Sequence, residues 1–163
     1  PSRNCQLKQE TAHLPNALTK PSLLPVSTSI GIHIPFHDID AMEVVWHGHY
    51  AKYLEIARCA LLDKLHYNYP DMRASGYAWP VIDMRIKYIR PLHFQQHITV
   101  DVAISEYEHR LRMDYVIRDT DTSERLCKAH TLQVAVDMST RELCYVTPPI
   151  FHEKLAAYQA LNP

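Results

Sequence analysis

Hydrophobic periodicity constrains the fold of this 163-residue chain most, because it changes twice along the sequence. From Ser29 to about His37, apolar residues alternate with polar ones, which predicts a half-buried strand. Apolar residues then recur at spacings of three and four, which predicts one long helix from about His49 to Leu65. After a connector with room for at most one further helical turn, the period returns to two at Trp79. This order of elements is typical of an α+β fold.

The second half of the chain predicts a meander of antiparallel strands that ends in a helix, about Ile150 to Leu161. Short polar connections, such as residues 118–123, have the composition of hairpin turns. We therefore predict one long helix wrapped by one curved antiparallel sheet in a domain of residues 29–163, preceded by an extended, proline-rich arm of residues 1–28. The predicted strands are Val81 to Ile89, Ile98 to Tyr107, Leu111 to Asp119, Cys127 to Met138 and Leu143 to Val146.

The charge balance excludes a strongly basic or acidic protein. With 17 Lys and Arg against 18 Asp and Glu, no global field favours nucleic acid or an anionic membrane, and a local patch must hold any anionic ligand. No apolar run is long enough to span a bilayer, the first residues lack the apolar core of a signal peptide, and the four cysteines form no C-x-x-C pair. We expect a cytoplasmic protein with reduced thiols, no membrane span and no nucleic-acid partner.

The densest group of polar side chains, residues 36–50, joins the first predicted strand to the long helix. It holds three carboxylates and three imidazoles. Because the free amide groups and the dipole of a helix N-terminus stabilise negative charge, this segment can polarise an attacked carbonyl group. Asp40, seven residues upstream of His47, could attack such a carbonyl as a nucleophile or activate water as a base. These are the parts of an acyl-transfer site.

Several motifs in this order resemble those of the YbgC-like and 4-hydroxybenzoyl-CoA thioesterases, a family of hotdog-fold acyl-CoA hydrolases. The family's D-x-D, V-V-[YW]-H, Y, E-x-A-R and Y-x-R-P motifs are similar to Asp38-Ile39-Asp40, Val44-Val45-Trp46-His47, Tyr50, Glu55-Ile56-Ala57-Arg58 and Tyr88-Ile89-Arg90-Pro91. The resemblance covers roughly residues 29–147. It implies a hotdog fold and the hydrolysis of an acyl thioester of coenzyme A or of acyl carrier protein.

The resemblance also implies roles for particular residues. Asp40 aligns with the family's catalytic aspartate. His47 falls on a histidine implicated in the YbgC branch, and on the position whose backbone N–H polarises the thioester carbonyl in the hydroxybenzoyl branch. No metal or redox cofactor is expected, and the subunits are expected to form a homodimer with one continuous sheet, or a homotetramer. The substrate-binding residues that we expect are Trp46, His49, Tyr50 and Arg90.

Three positions depart from the family pattern. Glu43 stands where the family usually has Gly, His49 where Asn or Ser is common, and Phe36 where the YbgC branch has Tyr. We interpret Glu43 as a solvated loop residue that needs no positive φ, with a second acid beside the thioester as the alternative. These departures also leave open another class of function, a hotdog protein that binds acyl chains or an acyl carrier protein without hydrolysis.

The polar residues of this loop also have structural interpretations. We expect Asp38 to be an Asx-turn residue that satisfies loop amides, whereas the spacing to His47 favours catalysis for Asp40. His47 and His49 could share a metal with either carboxylate if both precede regular helix, which would give a metal-dependent hydrolase. The sequence favours the reading without a metal, because such short motifs are unspecific.

Charged residues outside the loop have two interpretations. Glu55 and Arg58, three residues apart on the helix, predict an intrahelical ion pair. Arg85 and Lys87 alternate onto one strand face, and Arg110 with Arg112 repeats the pattern. These cations lie either on a solvated sheet face or in a site for the phosphates of coenzyme A or an acidic carrier protein.

Overall fold

The computed structural model describes residues 26–162, so residues 1–25 of the predicted arm lie outside the described residues. No helix within the described range is long and apolar enough to cross a membrane. The cysteines in that range, Cys59, Cys127 and Cys144, form no disulfide. Its strands and helices are β1 (Ser27–His33), α1 (His49–Lys64), α2 (Tyr69–Ala74), β2 (Tyr77–Ala78), β3 (Val81–Tyr88), β4 (His97–Glu106), β5 (Leu111–Asp119), β6 (Arg125–Gln133), β7 (Val136–Asp137) and α3 (Pro149–Leu161).

Five strands form one antiparallel sheet in the order β1-β4-β5-β6-β3, and α1 packs against it. Alternate residues of β4 and β5 are buried, as the period of two requires. On α1, Leu54, Ala57 and Leu61 are buried at spacings of three and four. Burial of a leucine side chain contributes roughly 1.5–3 kcal/mol, so this helix-to-sheet contact supplies much of the stability. The predicted α+β architecture, with its C-terminal helix, is confirmed.

The first strand begins and ends earlier than predicted. Its ladder starts at Ser27, which pairs with Ala103, and Ile104 donates to the carbonyl of Val26. Pro35 has no amide hydrogen and cannot extend a ladder, and the chain turns there into a short 3₁₀ helix, Phe36–Asp38. This turn leads the chain away from the sheet and into the polar loop.

The predicted last strand, Leu143 to Val146, is wrong, and the preceding prediction is too long. β6 ends at Gln133, and β7 pairs with β2 in a separate two-stranded sheet that the sequence did not predict. A tight turn over residues 137–141 follows, in which the Asp137 carboxylate accepts from loop amides. The returning chain makes one isolated bridge, from Leu143 to β7, and is then largely exposed. The turn therefore ends the preceding prediction before Met138, and residues 143–146 make no ladder beyond that bridge within the described residues.

The predicted ion pair on α1 is confirmed. The guanidinium of Arg58 contacts the Glu55 carboxylate, and the Tyr69 hydroxyl donates to the same carboxylate. Arg58 is buried. Because Tyr69 lies on α2, its hydrogen bond to Glu55 also holds α2 against α1. Burial alone would raise the pKa of Glu55, but the hydrogen bonds from Arg58 and Tyr69 lower it below its usual value.

The strand β3 forms one edge of the main sheet and pairs only with β6 within the described residues. Most of its apolar side chains are exposed although the sequence alternates like a half-buried strand: Ile82 is 58% exposed, Met84 38% and Tyr88 47%, whereas Ile86 is partly buried against the core. An exposed apolar edge strand offers unpaired backbone groups to another chain. The last residue of β3, Tyr88, contacts the polar loop just before α1 begins, so the end of this strand lies beside the loop.

Candidate active site

The loop before α1 folds into a tight hairpin. Ile39 bridges Val45, the Asp40 amide donates to the carbonyl of Val44 at 2.9 Å, and the Glu43 amide donates to the carbonyl of Asp40 at 3.0 Å. The half-buried Asp40 also accepts a hydrogen bond from the amide of Met42 through Oδ1, at 2.8 Å. Asp40 is therefore the Asx-turn residue of this loop, and its second carboxylate oxygen has no protein partner within residues 26–162.

The expectation that Glu43 needs no positive φ is wrong. Its φ is 62°, in the left-handed region that favours glycine. The position where the resembling family has glycine therefore has the backbone conformation that glycine suits. The side chain is exposed, and it makes no hydrogen bond or ion pair within the described part of the chain. The backbone of Glu43 is therefore strained in this turn.

Asp38 is buried, and its role differs from the predicted Asx turn. Its side chain is fully shielded and accepts hydrogen bonds from Lys52 Nζ at 2.5 and 2.6 Å and from the Tyr53 hydroxyl at 2.5 Å. Its backbone carbonyl accepts from the amide of Trp46 at 2.9 Å. Asp38 therefore joins the beginning of the loop to the end of the loop and to the first turns of α1.

The protonation of Asp38 follows from these contacts. Burial alone would raise the pKa of its carboxyl group, but hydrogen bonds from Lys52 and Tyr53 outweigh burial and lower that pKa below its usual value. His49 Nε2 and His37 Nε2 lie 3.8 and 3.6 Å from Asp38 Oδ1. Burial has the larger effect on Tyr53 and raises its pKa, and the hydrogen bond to Asp38 raises that pKa further. The phenol therefore stays protonated and donates.

Three of the expected site residues line one depression of about 290 Å³. His47, Tyr50 and Arg90 lie there together with residues 44–45, 88–89 and 91. The Tyr88 hydroxyl donates to the carbonyl of His47 at 3.0 Å, and the rings of Tyr50 and Tyr88 meet edge to face, 4.8 Å apart. Burial raises the pKa of Tyr50 to about 12, so this phenol is neutral at physiological pH. Arg90 forms an exposed ion pair with Glu124.

The other expected residues, Asp40, Trp46 and His49, do not line this depression. The Trp46 ring lies 5.1 Å from the His47 ring and 5.2 Å from the His49 ring. It also covers Gly48, where any Cβ atom would collide with the indole. No hydrogen bond or ion pair joins Asp40 to His47 among the described residues.

The backbone at the start of α1 carries two unpaired donors. The amides of Val45 and Trp46 donate to the carbonyls of Leu92 and Asp38, but those of His47 and Gly48 donate to no protein acceptor within residues 26–162. Free N–H groups beside a helix N-terminus are suited to binding a carbonyl oxygen on which negative charge develops.

The structure does not place a metal centre in this loop. No group of three or more His, Cys, Asp or Glu side chains in residues 26–162 is arranged to hold a metal ion.

Phe36, at another departure from the family pattern, is exposed and packs edge to face against Phe94 at 5.5 Å.

Sequence reasoning missed the contacts that hold the loop in place. Lys52 and Tyr53 contact Asp38 from 14 and 15 residues away. Tyr88 stands in a motif of the resemblance, but its hydrogen bond to His47, 41 residues away, is revealed by no local pattern. Gly48 did carry a signal, because the chain has only three glycines and this one stands directly before the helix.

Comparisons with known proteins agree with this architecture. A family model described as the thioesterase-like superfamily matches residues 34–157. The chain is 34% identical over 76 residues to "Putative acyl-CoA thioesterase YneP" of Bacillus subtilis, a match that covers 47% of this chain and only about half, 55%, of YneP. It is 28% identical over 127 residues to "Putative esterase sll0410" of Synechocystis, covering 77% of this chain and 76% of that protein.

A solved structure supports the same conclusion about the fold. The DHNA-CoA thioesterase from Staphylococcus aureus superposes with a TM-score of 0.71 at 26% identity, covering 83% of this chain and 93% of that one. The arrangement of the sheet, α1 and α3 is therefore the hotdog fold that the sequence resemblance implies.

Replacing Asp38 with Asn tests the buried contact. We expect the free energy of unfolding at pH 7 to fall by about 2 kcal/mol, because hydrogen bonds to a charged group are lost. The folded pKa of Asp38 lies below the unfolded value of about 3.9, so its stabilisation is complete above that pH and is lost as the pH falls through the folded pKa. Urea denaturation between pH 7 and pH 3 should show the difference from wild type narrowing below about pH 4.

The matched control for this substitution is Asp101→Asn, which removes a carboxylate that binds Ser29 and Arg118 at the surface. We expect only a small effect there, because exposed ion pairs contribute about 0–1 kcal/mol. A deficit in Asp38→Asn that stays constant across this pH range would contradict the assignment of an ionised Asp38.

Replacing Glu43 with Gly tests the strained turn. Left-handed backbone costs a non-glycine residue about 1–2 kcal/mol, and the greater freedom of unfolded glycine offsets about 0.5–1 kcal/mol of the relief. We expect Glu43→Gly to be more stable by up to about 1 kcal/mol and the β-branched Glu43→Val to be less stable than wild type. Urea denaturation midpoints measure both, and a glycine variant less stable than wild type would refute the strain.

Proposed function

Because the chain belongs to the thioesterase-like superfamily, we propose that it hydrolyses acyl thioesters of coenzyme A to the free acid and the thiol. The family match includes the whole loop from Asp38 to the start of α1. YneP and the Staphylococcus aureus enzyme are both named for action on CoA thioesters. The observation that carries the proposal is the pair of unpaired amides at His47 and Gly48, next to the depression that His47 lines.

In the proposed reaction, the thioester carbonyl oxygen accepts hydrogen bonds from these two amides and from the helix N-terminus. Charge that develops on this oxygen in the tetrahedral intermediate is stabilised there without rearrangement of the protein. The hydroxyl of Tyr88 donates to the carbonyl of His47 and so orients the peptide unit that carries the Gly48 amide. The His47 ring, which is exposed at the depression, is available to the substrate as well.

Asp40 is the proposed catalytic carboxylate, in one of two roles. As a nucleophile, its free oxygen attacks the carbonyl carbon, the C–S bond breaks, the thiolate leaves, and water hydrolyses the mixed anhydride. As a general base, it takes a proton from the water that attacks the same carbon, after which the C–S bond breaks and the thiolate leaves and is protonated. The Met42 amide holds the other carboxylate oxygen in place in either case. The proposed substrate contacts are Tyr50 and Arg90, which line the depression with His47, and Trp46 and His49, whose rings lie beside one another next to His47.

Replacing Asp40 with Asn tests this role. We expect kcat for acyl-CoA hydrolysis to fall by about 10²-fold or more, since a positioned base or nucleophile contributes 10²–10⁴-fold. Asp121→Asn, a substitution of an exposed aspartate in the β5–β6 turn, is the control and should retain activity. Release of the thiol from short-chain, long-chain and aromatic acyl-CoAs is the measurement.

Wild-type rates in Asp40→Asn on all three substrates would remove Asp40 from the mechanism. Tight binding of acyl-CoA by the wild-type protein, without any turnover, would instead identify the alternative function, an acyl-binding hotdog protein without hydrolytic activity. Binding is measured by calorimetry on the same preparations, so that the two outcomes are distinguished.

We also propose that two copies pair through β3 into one continuous sheet. The exposed apolar side chains of Ile82, Met84 and Tyr88, together with the unpaired edge, would be covered by this pairing. Met84→Lys places a charge in the proposed interface, so we expect the mass in solution to fall from that of a dimer, or a pair of dimers, towards that of a monomer.

The control for the interface is Met138→Lys, because Met138 is similarly exposed, at 45%, but lies outside β3. It should keep the wild-type mass in light scattering. A wild-type protein that is monomeric, or a Met84→Lys variant with an unchanged mass, would contradict pairing through β3.

A further inference from the structure

Four basic side chains meet on the face of the sheet that points away from α1. The register of β3 and β6 places Arg85 directly opposite His130 and Lys87 directly opposite Lys128. Directly opposed residues in a sheet point to the same face, so the four form one block, which we call the basic patch. The next strand, β5, continues this face with half-buried residues that alternate with its buried core residues.

The charges of the basic patch are poorly compensated. No carboxylate forms an ion pair with Arg85, Lys87 or Lys128 within residues 26–162, and His130 lies 3.7 Å from Asp83. Like charges directly opposite each other destabilise a sheet, so the Lys87–Lys128 pair has a cost that no local contact offsets. The chain as a whole has a net charge of −1, so this concentration of positive charge is local.

Neighbouring arginines do not share this property. Arg112, which the sequence pattern grouped with the patch, is bound by Asp114, and Arg110 is bound by Glu106. On this face of the sheet, Arg85, Lys87 and Lys128 on β3 and β6 therefore differ from the arginines of β5 and its hairpin, which are held by carboxylates.

The shape of the patch favours a small ligand. Its side chains line a depression of about 430 Å³, which is within the range of small-molecule sites. Arg112 and Asp114 line the same depression, and Asp114 stands opposite His130, so its one lining carboxylate is already bound to Arg112. A docking protein would need a face of roughly 800 Å², whereas phosphate groups need only a few converging Lys and Arg side chains. Phosphates on a small molecule are therefore the ligand chemistry that fits.

The patch and the candidate active site lie on the two faces of the same strand end. Lys87 is followed by Tyr88, whose hydroxyl donates to the carbonyl of His47, and successive residues of a strand point to opposite faces. From Lys87 to Arg90 the chain covers at most about 10 Å at 3.3 Å per residue. A ligand with a reactive end and a phosphorylated end joined by a flexible arm can pass around this strand end.

We propose that the basic patch binds the phosphate groups of coenzyme A while the thioester lies at His47. The inference rests on the proposed hydrolysis of coenzyme A thioesters and adds the residues that hold the phosphates of the carrier. Lys87 and Lys128 contact the phosphates as point charges, and Arg85 can bind one in a bidentate manner. The bound phosphates relieve the repulsion between the two opposed lysines.

The test compares substrates that differ only in their carrier: acyl-CoA, the same acyl group on 3′-dephospho-CoA, and the same acyl group on N-acetylcysteamine, which has no phosphate. In the double variant Lys87→Gln/Lys128→Gln, we expect the ratio of kcat/KM for acyl-CoA to that for the N-acetylcysteamine thioester to fall about tenfold, as for the loss of one charge-assisted contact. The loss should appear in KM, and should shrink on dephospho-CoA and at high salt.

The control double variant is Lys64→Gln/Lys154→Gln, which removes the same charge from the groove between the ends of α1 and α3. Its substrate ratio should equal that of wild type. Thermal unfolding checks that the patch variant is folded, and its melting temperature should not fall, because a repulsive pair has been removed.

An unchanged ratio in the patch variant would overturn the proposal. So would a loss confined to acyl carrier protein thioesters, which would assign the patch to an acidic protein partner. Failure of the proposed function is distinguished by the wild-type protein, which would then hydrolyse none of the three thioesters. Calorimetric titration of coenzyme A into wild type and the patch variant tests the patch in that case, and equal affinities would overturn it.

Discussion

The buried carboxylate of Asp38 is the contact on which the geometry of the site depends. A shielded carboxylate is costly unless it is paired and hydrogen-bonded, and Lys52 and Tyr53 satisfy it from the first turns of α1. The carbonyl of the same residue accepts the amide of Trp46. One residue thus fixes the beginning and the end of the loop against the helix, and the turn that carries Asp40 is closed between them.

The free amides at His47 and Gly48 follow from this arrangement. The loop uses the amides of the two preceding residues to close on itself and on Leu92, and the helix begins too soon afterwards for the next two to find acceptors. The indole of Trp46 covers Gly48 and excludes any side chain there. Tyr88 then ties the loop to the edge strand β3, so the candidate site, the exposed edge and the basic patch all meet at one strand end.

The parts of the fold that could be predicted from sequence are those in which burial alternates without interruption. β4, β5 and α1 have regular apolar spacing because each is buried on one face along its whole length. The segment Leu143 to Val146 has apolar residues but forms no strand. Apart from the one bridge between Leu143 and Val136, no strand of the described residues pairs with it, and a local pattern does not show which segments will pair. β3 was located correctly from its alternation, although a single copy of the chain leaves its apolar side chains exposed.

For the candidate site, the sequence predicts which segment supplies the residues but not how those residues contact one another. The resemblance identified the loop, and His47, Tyr50 and Arg90 do share a depression. The Asx-turn role expected of Asp38 is found at Asp40 instead. The partners of Asp38 lie 14 and 15 residues away, on a helix that only folding brings near. The positive φ of Glu43 was missed for a related reason, since a glutamate gives no sign of left-handed backbone.

The central claim is that this loop and helix start form a site that hydrolyses thioesters. Its most direct test is the release of free thiol from a panel of short-chain, long-chain and aromatic acyl-CoAs by the purified wild-type protein. The account predicts many turnovers per protein molecule on at least one member of the panel. No turnover on any member, in a protein with an intact cooperative unfolding transition, would contradict it.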